Sequence, residues 1–166
     1  MDDQIRLEPA EPEDAAAILE IHAAAVHKTA APYYLEEVIN SWSRLPITRD
    51  RIERVKQKWI ENPDRRVIVA RQNNDTVGFG MVDKNNELQG LYVHPDFGRG
   101  GIGAKILAVL EQEAVLMGLS YLKADASMNA EAFYKKQGFE VIGYATHQLA
   151  SGQEMTCVKM RKTLEM

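Results

Sequence analysis

The chain has 166 residues, 45% of them hydrophobic and 27% charged, with a formal net charge of −4. That is enough to bury one core and too little for two full domains, so a single unit over residues 1–166 is expected. No apolar run approaches the ~20 residues of a membrane helix, and the acidic balance speaks against nucleic acid as a partner. Met1–Leu7, with Asp2 and Asp3, is the opposite of a secretory leader, which predicts a cytoplasmic location. Cys157, the only cysteine, excludes an internal disulfide and a cysteine-based metal site, and reads as a packed thiol; no metal is expected.

Ile5 to Leu7 predicts a short strand closed by Pro9 and Pro12, after which Ala15, Ile18, Leu19, His22 and Val26 recur at helical spacing. Leu35, Val38, Ile39 and Trp42 make a second helical stripe, and Ile52, Val55 and Trp59 a third, parted by Leu45-Pro46 and ended by Asn62-Pro63. Val67–Ala70, Val77–Val82 and Leu88–Val93 follow as an antiparallel meander, with turns at Gln72-Asn73-Asn74-Asp75 and Asn85-Asn86. A long helix carries Ile102, Ile106, Val109, Leu110, Ala114 and Met117 on one face and ends at Gly118. Tyr121–Ala126 is then a strand, predicted to lie parallel beside Leu88–Val93 through a right-handed crossover. A helix over about 129–137 and two strands around Ser151-Gly152 complete the chain.

Gly98-Arg99-Gly100-Gly101-Ile102-Gly103 lies between a strand and a helix, where free amides and the helix dipole make an anion site. The spacing also reads G-x-G-x-x-G, and Asp125 closes the next strand. A dinucleotide fold is nevertheless disfavoured: His94-Pro95-Asp96-Phe97 intervene between strand and first glycine, and too little chain remains for repeated strand-helix units. A Walker loop fails because no Lys-Ser or Lys-Thr follows the last glycine. A ligand-free turn stays open. Arg99, Lys105, Lys135 and Lys136 in an acidic chain favour a phosphorylated ligand, although a solvated helix face would explain the last two equally well. Gly90, alone within a good strand, marks a bulge or a close backbone approach.

Val93-His94-Pro95-Asp96-Phe97-Gly98-Arg99-Gly100-Gly101-Ile102-Gly103 and Ala126-Ser127-Met128-Asn129-Ala130-Glu131-Ala132-Phe133-Tyr134-Lys135-Lys136-Gln137-Gly138-Phe139 together resemble the GCN5-related N-acetyltransferase family, from about Val67 to the C-terminus. The resemblance implies an α/β (α+β) fold, a mixed, mostly antiparallel sheet of about seven strands with flanking helices, its fourth and fifth strands splayed around acetyl-CoA. It implies that backbone groups of Leu91, Tyr92 and Val93 hold the pantetheine, and that amides from Arg99, Gly100, Gly101, Ile102, Gly103 and Ala104 cradle the pyrophosphate. Ser127, Asn129, Phe133, Tyr134 and Lys136 would complete the cofactor site. Two positions depart from the family pattern: Gly98 stands where Arg or Gln usually opens the loop, and Ser127 where Asn is usual, with Asn129 two residues on. For Ser127 and Asn129, helix capping remains an alternative.

The implied reaction is direct acetyl transfer to a primary amine of a small molecule. Tyr134 takes the family's general-acid position, with packing as its alternative, and a main-chain N–H near Tyr92 would meet the charge developing on the carbonyl oxygen. Glu87 is the first choice of base, ahead of His94, Asp125 and His22, the last of which also fits a core histidine. His27, Tyr33 and Tyr34 fall where the family builds its acceptor pocket; Trp42 fits core packing better. A peptide N-acetyltransferase and a non-catalytic coenzyme A sensor are the alternatives, a nicotinamide oxidoreductase is more distant, and a homodimer is left open.

Overall fold

The structure is a computed structural model that describes residues 4–98 and 100–165. Its strands are β1 (Ile5–Pro9), β2 (Arg65–Gln72), β3 (Asp75–Asp83), β4 (Leu88–Val93), β5 (Tyr121–Ser127), β6 (Glu140–Gln148) and β7 (Glu154–Thr163). Its α-helices are α1 (Ala15–Ala24), α2 (Glu36–Trp42), α3 (Arg49–Val55), α4 (Ile102–Leu116) and α5 (Glu131–Lys136). Both α1 and α3 run on into π-helical turns, Ala25–Ala30 and Lys56–Ile60, which periodicity did not foresee. The turns form where residues tolerate positive φ: Asn73 (56°) between β2 and β3, Asn86 (69°) before β4, and Gly152 (91°) between β6 and β7.

The expected seven strands are present among the described residues, but they form two sheets, β1-β2-β3-β4 and β5-β7-β6, each antiparallel throughout. The parallel pairing expected between β4 and β5 shrinks to one bridge, Glu87 with Lys123. There the Lys123 amide donates to Asn86 O (2.7 Å), and Asn86 Nδ2 donates to Tyr121 O (3.0 Å). Past that hinge β4 turns away, for a visible reason. Met81 pairs with Gly90 while Val82 pairs with Leu88, so Gln89 is the extra residue of a bulge, and a bulge bends and twists its strand. Gly90 sits beside it because a Cβ there would lie 3.2 Å from the Tyr92 ring.

Two apolar layers hold the sheets. Ile106, Leu107 and Leu110 of α4 pack with Ile68, Val82, Leu122, Val158 and Met160, spanning both sheets. On the opposite face of the first sheet, Ile18, Leu19 and Ile21 of α1 and Val55 of α3 meet Val67, Val69, Phe79 and Met81. Fully buried, each such side chain contributes about 1.5–3 kcal/mol. Gly80 lets α4 settle directly on β3, since a Cβ there would lie 2.5 Å from Leu110 Cδ1 and 2.9 Å from Ile106 Cγ2. The start of α1 is pinned by Arg71, whose fork donates to both Asp14 oxygens (2.8 and 2.9 Å) and whose Nε reaches Glu8 (2.8 Å). Burial alone would raise the Asp14 pKa, but Arg71 and the Glu11 amide hold it below its ordinary value.

Candidate active site

The splay leaves a cleft whose first chamber, about 360 Å³, lies on the α4 side. Leu91 and Val93 of β4, Gly101 to Ala104 at the start of α4, and Asn129, Phe133, Tyr134 and Lys136 line it. Gly101 caps α4 with φ +71°, and Lys105 is the first residue whose amide bonds back, to Gly101 O (3.2 Å). The amides of Ile102, Gly103 and Ala104 therefore have no helical acceptor and point at the chamber with the positive end of the dipole. Gly103 keeps this mouth narrow, because a Cβ would stand 3.3 Å from the Phe133 ring.

The β3–β4 ladder sorts the three expected backbone contacts. His94 N donates to Val77 O (2.8 Å), so along an alternating antiparallel ladder the backbone groups of Tyr92 also face β3, paired with Phe79. Those of Leu91 and Val93 face the gap. Tyr92 offers only its ring, and that to the opposite chamber.

Neither Ser127 nor Asn129 caps a helix with its side chain: Ser127 makes no side-chain cap bond, and Asn129 Oδ1, beside the cleft, is buried with no partner among the described residues. Lys135 is paired with Glu131 (2.7 Å), leaving Lys136 at the chamber mouth. Gly100 borders a separate hollow with Phe97 and Lys105, and Arg99 lies outside the described residues. Tyr134 is buried, edge-on to Phe133 and Phe139 (5.2 Å each), and among the described residues its hydroxyl makes no hydrogen bond. Burial first, and the nearby Tyr92 phenol second, push its pKa far above the ordinary value, so it is a held proton.

A second chamber of about 450 Å³ opens on the α1 side, walled by His22, Trp42, Trp59, Phe79, Met81 and Tyr92, with Arg65, Glu87, Asp125, His147, Met155 and Cys157 around it. A hollow of about 490 Å³ joins the two, sharing Leu91, Val93 and Asn129 with the first and Trp42, Tyr92 and Ser127 with the second. The aromatic rings brace one another: His22 to Tyr92 4.8 Å, Phe79 to Tyr92 5.5 Å, Trp59 to Phe79 6.4 Å. Burial, then the charge of Arg51 and the His27 ring, depress His22 to about 4, so it is neutral at physiological pH. Burial pushes the Tyr92 phenol up to about 12 against a Trp42 hydrogen bond, and burial followed by the Asp125 carboxylate pushes the Cys157 thiol up.

Several sequence-based assignments land elsewhere. Glu87 precedes β4 rather than lying on it, facing the second chamber with its carboxylate 3.5 Å from Lys123. Asp125 is 3.2 Å from Lys159. His94 spends Nδ1 on the Asp96 amide (3.2 Å), stapling the loop. The three expected acceptor residues do not line the chamber: His27 Nε2 meets Ser43 O (2.7 Å), Tyr33 is exposed, and Tyr34 bridges two strands of backbone, donating to Thr156 O and accepting from Met128 N at 2.7 Å each. Trp42, expected to pack, lines the chamber as well. Trp59, Arg65, Met81, His147 and Met155 were missed; the helical stripe through Trp59 was the only signal any of them gave.

The family model described as an acetyltransferase (GNAT) domain matches residues 20–164. An uncharacterized N-acetyltransferase of Escherichia coli, YafP, is 26% identical over 138 residues, 83% of each chain. The crystal structure of a GCN5-related N-acetyltransferase from Rhodopseudomonas palustris superposes with a TM-score of 0.86 at 27% identity over 99% of both chains. An acetyltransferase from Salmonella typhimurium, solved with acetyl-CoA, does so with a TM-score of 0.73 at 22% identity, over 98% and 95%. The α4-side chamber fits such a cosubstrate: among the described residues Asn129 Oδ1 lacks a donor, Leu91 and Val93 turn backbone groups away from β3 toward the gap, and the amides of Ile102 to Ala104 lie beside Lys136 at its mouth. The chain belongs to the GNAT acetyltransferase family, as an acyltransferase with acetyl-CoA as cosubstrate.

Proposed function

We propose that the protein acetylates the primary amine of a small molecule by direct transfer, with Tyr134 as general acid. The observation that carries this reading is Tyr134, a buried side chain in the wall of the α4-side chamber whose hydroxyl has no hydrogen-bond partner among the described residues. Acetyl-CoA supplies an activated acyl thioester. The amides of Ile102 to Ala104 hold its phosphates, Leu91 and Val93 align its amide-bearing arm as an added strand, and Asn129 Oδ1 accepts from it. The acceptor amine enters from the α1 side; a C–N bond forms as the C–S bond breaks. Glu87 takes the amine proton through water, and Tyr134 returns a proton to the departing sulfur. Ser127 and Lys136 stand at the two mouths. The helical roof of Trp42 and Trp59 over the acceptor chamber supports a small molecule over an extended peptide. Calorimetry with acetyl-CoA, followed by thiol detection over small amines and lysine or N-terminal peptides, tests this. Heat with acetyl-CoA and turnover of a small amine are expected. Turnover of peptides alone, or binding without any turnover, would overturn it.

A further inference from the structure

Among the described residues, one cation lining the α1-side chamber has no ion-pair partner. Lys123 and Lys159 are matched by Glu87 and Asp125. On β2, Arg66 is matched by Glu113 (3.9 Å) and Arg71 by Asp14 and Glu8. Arg65, half-buried and lining the chamber, donates from Nη1 to Met81 Sδ (3.5 Å), and among the described residues no ion pair holds it; the buried carboxylate of Asp83, its register partner on β3, accepts instead from the Asn85 and Glu87 amides and from Gln89 Nε2. A thioether is a weak acceptor. Strand alternation accounts for the placement: Arg65 shares a face with Val67 and Val69, and Val67 is paired with Met81, so the guanidinium lies over the apolar floor beneath Trp59 and Phe79.

A planar guanidinium is matched by a carboxylate through two parallel N–H···O bonds. An acceptor lacking an anion would cover Arg65, strip its water and leave a thioether in exchange, at an unrecovered desolvation cost. We infer that the acceptor is an amine bearing a carboxylate, an apolar or aromatic amino acid, with Arg65 holding the carboxylate and the aromatic wall holding the side chain. Its amine is turned to the gap beside Tyr92 and Ser127. This rests on acetyl transfer to a small amine and assigns Arg65 as the residue that selects it.

The test compares each amino acid with its decarboxylated twin, L-phenylalanine with phenethylamine and L-leucine with isopentylamine, at saturating acetyl-CoA. The wild-type kcat/KM should favour the amino acid by about tenfold or more. Arg65→Leu should cost the amino acid about 10- to 100-fold and largely spare the amine, and Arg65→Lys, which keeps the charge but not the fork, should fall between. Acetyl-CoA affinity should hold throughout. Wild-type preference for the decarboxylated amines, or equal losses for both members of a pair in Arg65→Leu, overturns the inference. If neither member is acetylated, titration of L-phenylalanine into the coenzyme A complex decides: binding that Arg65→Leu abolishes retains the inference, whereas absence of binding, or binding that Arg65→Leu leaves intact, overturns it, and the screen over other small amines decides acetyl transfer separately.

Discussion

Tyr134→Phe removes one oxygen and leaves the ring against Phe133 and Phe139, both 5.2 Å away. Because that oxygen makes no hydrogen bond among the described residues, folding loses no bond, and the buried hydroxyl already carries its desolvation cost. Stability should hold within about 0.5 kcal/mol or rise slightly, a Tm change of about 2 °C or less for a chain of this size. Catalysis is different, since in the proposed mechanism the proton held there goes to the leaving sulfur. General-acid assistance is typically worth ~10²–10⁴-fold, and a thiolate is a good leaving group, so the lower end applies. A loss of about 10²-fold in kcat corresponds to about 2.7 kcal/mol of barrier. Single-turnover thiol release isolates the chemical step, and calorimetry should find acetyl-CoA affinity unchanged. Full kcat in the variant would assign proton delivery to water, and a Tm drop of more than about 5 °C would make the phenol structural.

Gly101→Asp places a carboxylate and a left-handed backbone penalty of about 1–2 kcal/mol at the φ +71° position that opens the proposed phosphate cradle. Like charges ~4–6 Å apart repel by about 3 kcal/mol at an effective dielectric near 20, so acetyl-CoA Kd should rise about 100-fold by calorimetry. Gly80→Ala drives a methyl into Leu110 and Ile106, and overpacking of about 2 kcal/mol should lower Tm by about 4–8 °C in a melt, while lifting α4 and weakening cosubstrate binding. Burial keeps His22 neutral down to about 4, whereas the unfolded chain takes up that proton near 6.5, so the native state is favoured above 6.5 and loses up to about 3 kcal/mol as pH falls from 6.5 to 4. Denaturant melts across that window should show the slope in the wild type and a diminished one in His22→Phe.

Legibility in the sequence followed the range of the forces involved. Asn73, Asn86 and Gly152 announced their turns because positive φ is a local demand, and Gly90 marked the bulge within one residue of the extra Gln89. The lining of the α4-side chamber was also readable, since Gly101 to Ala104 and Asn129 to Lys136 are two contiguous segments. That of the α1-side chamber was not. Arg65, Met81, Tyr92 and Met155 meet there from four strands, and no spacing along the chain encodes that meeting. His27 misled for a related reason: past Ala24 the helix widens into a π turn, its side chains rotate off the α1 stripe, and the imidazole meets the Ser43 carbonyl instead of the chamber.

Tyr34 gives the cleft its second fastening. The two sheets touch at Glu87 and Lys123 on one side of the opening; across it, the Tyr34 oxygen grips Thr156 of β7 and the Met128 amide at once. The segment carrying Asn129 thus takes its position from a side chain in the N-terminal helical region, which also supplies Trp42 to the acceptor roof. Roof and cosubstrate grip are therefore not interchangeable parts. A graft that replaced the helices to admit a new acceptor would keep the Asn129 segment in place only if the incoming segment set down a hydroxyl at that same point.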